Sequence, residues 1–201
     1  REPDAVRAVS ARNWRDLLSF DLSRNLKVLC ASGLVFSFGL SCSHSFIMPL
    51  FFSERFGASE RVVSVIMMIH RVTLALPMFF VARIAPRHFK AVYITFVVCE
   101  GAAISLSAVL PTLLPSALAW LTHDLLGAGI WVPIQSTIIQ HYSRDGLRGL
   151  DVSKTLTFPA FGAIFGPYLA GYLADMGIGL PFLASGLLIV SSAGLLFSLR
   201  L

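Results

Sequence analysis

Six apolar stretches follow one another with only short polar connections between them, and each is close to the roughly 20 residues that carry a helix across a bilayer. They are Val28–Phe52, Val62–Ala85, Ala91–Leu110, Ala117–Gln140, Val152–Ala174 and Leu180–Leu199. A chain built this way has few options. Its residues are 56% hydrophobic and 13% charged, against roughly 25% charged in a soluble domain, so lipid has to cover part of the surface. None of the stretches alternates polar and apolar residues at period two. Barrel strands are therefore excluded, and helices remain as the way to satisfy every backbone group in hydrocarbon. The expectation is an all-α membrane protein with six transmembrane helices over residues 28–201. Residues 1–27 form a polar, basic linker in which Trp14, Leu17 and Leu18 share one face of a short interfacial helix.

The basic residues divide unevenly among the connections. Arg83, Arg87, Lys90, Arg144, Arg148 and Arg200 join those of the N-terminal linker on one side, and only Arg55 and Arg61 fall on the other. The positive-inside rule then places both termini in the cytoplasm of a multi-pass protein of the plasma (inner) membrane. The formal net charge of +5 reads as topology and gives no reason to expect nucleic acid. Cys30, Cys42 and Cys99 all lie inside apolar stretches and provide no disulfide or zinc framework. His44, His70 and His123 stand on different spans, without the His-x-x-x-His spacing that gathers a metal. No metal, no cofactor and no enzymatic activity are expected.

The residues with chemistry concentrate on the fourth span. Trp120, Asp124, Gly127, Trp131 and Gln135 recur at three- and four-residue spacing, so one helical face carries them. A carboxylate at mid-membrane costs roughly 2.5–3.5 kcal/mol on insertion scales unless it faces a partner or water. Such a stripe suits a solute cavity, where stacking surfaces combine with a few oriented polar groups. Arg71 on the second span lies at a depth comparable with Asp124, and the two are expected to pair. Glu100 on the third span is a second central acid and a second candidate for proton exchange. His44 adds a polar point to the first span, and Phe158 and Tyr168 of the fifth span are expected to reach the cavity. His70 is read as a packing residue, and Lys154 as snorkelling to lipid phosphate. Gly162, Gly166, Ala170 and Ala174 recur every four residues, the small-residue spacing of a close helix contact.

A weak internal echo joins the two halves of the domain. The second span ends P-M-F-F-V-A-R-I-A-P from Pro77 and the fifth ends P-Y-L-A-G-Y-L-A-D from Pro167, with opposite orientation in the membrane. Inverted three-helix repeats behave this way. Residues Gly127, Gly129, Pro133, Arg148 and Gly149, followed by Gly162, Gly166, Pro167 and Gly171, resemble the fourth and fifth helices of a half of a major facilitator superfamily transporter. The loop A-R-I-A-P-R-H-F-K from Ala82 to Lys90 resembles a degraded form of that family's signature, with Pro86 at its acidic position. The resemblance runs from Leu26 to the end and is to the C-terminal six-helix half. It implies two inverted three-helix repeats and alternating access around a cavity completed by an N-terminal half outside this chain. The partners it implies are a small organic solute and protons, with the lipid bilayer around them. Two other readings stand beside it: a structural or partner-binding membrane protein without transport, and an intramembrane hydrolase using Asp124 and Glu100.

Overall fold

The computed structural model describes residues 19–44 and 47–201. The interfacial helix expected around Trp14 lies outside the described residues. Seven helices make up the described chain: α1 Arg24–Ser43, α2 Ile47–Phe56, α3 Glu60–Val81, α4 Phe89–Val109, α5 Leu113–Tyr142, α6 Arg148–Met176 and α7 Leu180–Leu196. Five have the length and apolar composition to cross a membrane: α1, α3, α5, α6 and α4 with its short lead-in from Pro86.

Two spans differ from the sequence expectation. The first is not one helix. α1 stops at Ser43, His44 takes an extended conformation (φ −98°, ψ −179°), and α2 begins afresh at Ile47. The sixth forms a shorter helix of 17 residues, Leu180–Leu196, at the lower end of what crosses a bilayer. The turns obey local chemistry. Gly57, at φ +64°, reverses the chain after α2 in a conformation other residues avoid. Ser59 then caps α3 by accepting from the Val62 N–H at 3.5 Å. Arg55 donates to the carbonyls of Ala108 and Leu110, so a cation sits on the unsatisfied C-terminal end of α4.

Glycine determines how the helices pack. α1 lies between α6 and α7; α7 also packs on α4, α4 on α5, and α5 on α3. At the α1–α6 seam, a Cβ placed on Gly162 would stand 2.1 Å from the Leu34 carbonyl oxygen, and one on Gly166 would stand 2.4 Å from Ser41 Cβ. Gly101 and Gly186 bring α4 and α7 equally close, each facing the other's carbonyl. Between such helices buried hydroxyls find partners across the seam: Ser32 donates to the Ser192 carbonyl at 2.9 Å, and Ser43 and Ser185 share a bond at 2.8 Å. Close approach supplies the packing that replaces the hydrophobic effect between helices in lipid.

The opposite faces of α3 and α6 have no partner in the described chain. Met68, Val72, Leu76 and Phe79 project from α3, and Phe161, Phe165, Tyr168 and Tyr172 from α6, all exposed. At one end of the bundle Arg144, just after α5, ties the connections together. Its backbone N–H and guanidinium bond the buried carboxylate of Asp151, and its Nη1 donates to Asp21 at 2.5 Å. These hydrogen bonds, Asp151 first and Asp21 second, hold the Arg144 guanidinium above its already high ordinary pKa. Lys154 does not snorkel outward: its Nζ donates to the Ser19 carbonyl at 2.7 Å, fixing the segment that leads into α1.

Candidate functional site

α5 is bent where its chemistry lies. Leu113–His123 and Gly129–Tyr142 are regular, but Asp124–Ala128 winds as a π-turn with Leu126 (φ −105°, ψ 19°) and Gly127 (φ −145°, ψ −105°) outside helical geometry. Three residues account for the break. A Cβ on Gly127 would fall 2.7 Å from Glu100 Cβ, and one on Gly129 would fall 2.7 Å from the Leu74 carbonyl oxygen, so both glycines let a neighbour press into the helix. Pro133, a turn later, has no N–H to give to the Gly129 carbonyl. Breaks of this kind gather at functional positions and re-aim the side chains around them.

The bend turns Asp124 into the bundle. Its Oδ2 contacts His70 Nδ1 of α3, and its Oδ1 lies 3.4 Å from His123 Nε2. All three side chains are buried. His123 Nδ1 sits against the Trp120 carbonyl, which only accepts, so that nitrogen carries the ring's proton. The His70 and His123 rings stack at 5.5 Å between centroids, and the His44 ring stands edge-on to His123 at the same separation. Trp120 closes the group from one side, 4.7 Å from the His70 ring. About two turns further along α5, Trp131 donates its indole N–H to the buried carboxylate of Glu100, while its ring stacks on Tyr93 and stands edge-on to Phe36.

These groups border one cavity of about 370 Å³. Its polar lining is His44, His70, Arg71, Glu100, His123 and Asp124, and Met48, Met67, Leu74 and Val132 supply apolar wall. A cavity of that size, mostly apolar with a few converging polar groups, suits a small organic molecule.

Of the residues singled out in the sequence, the structure brings His44, Arg71, Glu100, Asp124 and Trp131 to this cavity. Gln135, Phe158 and Tyr168 do not line it. Phe158 packs on Phe20 at 4.9 Å, and Tyr168 is 85% exposed on the free face of α6. Gln135 shares a face with Trp131 in the regular helix after the π-turn but stands one turn further along, past the cavity, where it bonds Tyr93. The expected pair is also different. Among the described residues Arg71 makes no ion pair with Asp124, because His70, one position earlier and about 100° round the helix, is the α3 residue that faces inward. His70 and His123, which no spacing in the chain connects, are the partners instead.

The comparisons with known proteins are sparse. A protein named Multidrug resistance protein 2 from Bacillus subtilis (strain 168) is 25% identical over 167 residues, which is 80% of this chain and 40% of that relative's length. The chain thus spans well under half of the relative it matches. No family model matches the chain, and no solved structure does. Five described helices long and apolar enough to cross a bilayer mark a membrane protein.

Proposed function

We propose that the chain is the six-span C-terminal half of a secondary transporter that moves a small organic solute by alternating access, coupled to protons. The observation that carries this reading is the buried acid–histidine group at mid-bundle beside an open, mostly apolar cavity. Ionisable side chains are expensive at that depth and mark solute or proton pathways. Asp124, flanked by two imidazoles, is the proton-exchanging group, and Trp131 with Met48 and Met67 forms the adaptable solute wall. Arg71 stands at the cavity's exposed rim, free to meet an anionic part of the solute when Asp124 is protonated.

Two further features support the half-transporter reading. The spans are α1 with α2, then α3, α4, α5, α6 and α7 in turn. A two-fold that exchanges the first three with the last three turns the α1–α6 contact into the α5–α3 contact, and the α1–α7 contact into the α5–α4 contact. It leaves the α4–α7 contact on the axis. All five contacts are present, which is the pattern that inverted repeats require. The bare faces of α3 and α6 are the surfaces that a first half would cover, with Tyr168 on the α6 side. In this arrangement both termini are cytoplasmic. The drug-resistance name of the relative fits an apolar or aromatic solute.

The test is a flux assay on the full-length protein in proteoliposomes, across a panel of dyes, drugs, sugars and amino acids. Uptake or release of apolar organic compounds, driven by an imposed proton gradient, is the expected result. Strict selectivity for a sugar or an inorganic anion would contradict the apolar-cavity argument. Transport by residues 1–201 alone, above an empty-vesicle control, would contradict the half-transporter reading.

A further inference from the structure

The histidine cluster gathers more ligand atoms than a proton site needs. His123 points Nε2 at Asp124 Oδ1, 3.4 Å away, while its Nδ1–H is committed to the Trp120 carbonyl. In the neutral ring Nε2 is therefore a bare lone pair aimed at a carboxylate oxygen, and two acceptors facing each other in a buried site need a cation between them, which either an exchanging proton or, in competition with it, a metal ion supplies. An imidazole whose far nitrogen donates to a backbone carbonyl is also the orientation that metal-ligating histidines adopt. One ligand atom from each of His70, His123 and Asp124 lies within 4.8 Å of the others. Donors around a tetrahedral zinc, at bonds of 2.0–2.1 Å, stand about 3.3 Å apart, so small side-chain rotations close the set. His44 supplies a third imidazole and a fourth donor: its ring is 5.5 Å from that of His123, and its buried Nδ1 has no hydrogen-bond partner among the described residues.

We propose that His70, His123 and Asp124 bind a divalent transition-metal ion of the zinc class, with His44 as the fourth donor. Imidazole nitrogens with a single carboxylate select such ions over magnesium or calcium, which take oxygen donors. The charge also fits. Asp124 and Glu100 are the buried acids around this cavity, Arg71 is at its exposed rim, and a dication offsets both carboxylates. Sequence spacing concealed the site because its donors come from three different spans, joined only when α3 packs on the bent α5 beside the end of α1.

Binding is measured without reading transport, so failure here leaves the proposed function standing, and failure of transport leaves this site standing. The full-length protein, purified in detergent without a polyhistidine tag and stripped with chelator, is titrated with zinc and with cobalt. The background carries H88Q and H141Q, which remove the exposed imidazoles at the bundle end. One ion per chain is expected, with cobalt giving the visible absorption of a four-coordinate site. His70→Gln and His123→Gln, close in shape to histidine, should each weaken binding at least about tenfold, the lower end of what loss of a supporting group costs a metal site, with helicity by circular dichroism unchanged. X-ray absorption on the zinc-loaded protein needs no variant of the cluster and should show imidazole scattering around the ion. Loss of all binding in the H88Q/H141Q background would overturn the proposal. So would affinity untouched by both glutamine variants, or a zinc shell without imidazole.

Discussion

Gly162→Ala adds one methyl group, and the structure sets what it costs. The new Cβ would stand 2.1 Å from the Leu34 carbonyl oxygen and 2.9 Å from the Phe38 nitrogen, both backbone atoms that no rotamer change can move. The shortfall against an ordinary contact of 3.4 Å is about 1.3 Å, so α1 and α6 must separate along their closest seam. Overpacking of this kind costs about 1–3 kcal/mol, and here it also loosens the bonds that keep Cys42 against the Gly166 carbonyl. Gly171 on the same helix is the control, because a Cβ there meets nothing within 4 Å. Gly171→Ala should gain up to about 1 kcal/mol from the better helix propensity of alanine. The assay is denaturant or thermal unfolding of each purified variant in the same detergent. Gly162→Ala should unfold earlier than the parent, and Gly171→Ala at the same point or later. Equal effects from the two substitutions would refute the argument that glycine seams hold this bundle together.

Other perturbations separate structural from exposed charges. Arg144→Ala strands the buried Asp151 carboxylate while removing a guanidinium that reaches solvent, and should cost about 1–3 kcal/mol in the same unfolding assay, between the surface and buried limits. Asp21→Ala removes only an exposed partner and should cost under about 1 kcal/mol. Trp131→Phe keeps the ring contacts with Tyr93 and Phe36 but takes away the donor to Glu100, for a loss of about 1–3 kcal/mol. Adding Glu100→Gln should recover part of that loss, and a double-mutant cycle reads it directly. Single cysteines near Arg55 and at 111–115 should label from outside the cell, whereas cysteines at Arg87 and Arg144 should not; external labelling at Arg87 would reverse the topology.

How much of this was legible in the sequence depends on what kind of signal each feature leaves. Apolar length alone indicated an all-helical membrane architecture, and the four-residue spacing of Gly162, Gly166 and Ala170 marked the face that packs on α1. Asp124 stood out because a charge inside an apolar run has no cheap structural use. What stayed hidden was whatever depends on two helices at once. His70 and Arg71 are neighbours in the chain, and only the docking of α3 on α5 decides which of them turns inward. Gln135 shares a face with Trp131, and only the packing of the neighbouring helices decides that the cavity ends before reaching it and leaves it against Tyr93. The break after His44 did leave a signal, Pro49 in the first turn of α2, which has no N–H for the carbonyl four residues earlier and suits the start of a helix better than its interior.

The central claim is that Asp124, held between two imidazoles beside an apolar cavity, couples solute movement to protons. The measurement that tests it most directly compares wild-type and Asp124→Asn full-length protein in proteoliposomes, reading solute accumulation under an imposed proton gradient and solute exchange without one. Asp124→Asn should lose gradient-driven accumulation and keep exchange, because the cavity persists while its proton-exchanging group is gone. A well-folded Asp124→Asn protein that accumulates solute as fast as wild type under the gradient would contradict the claim.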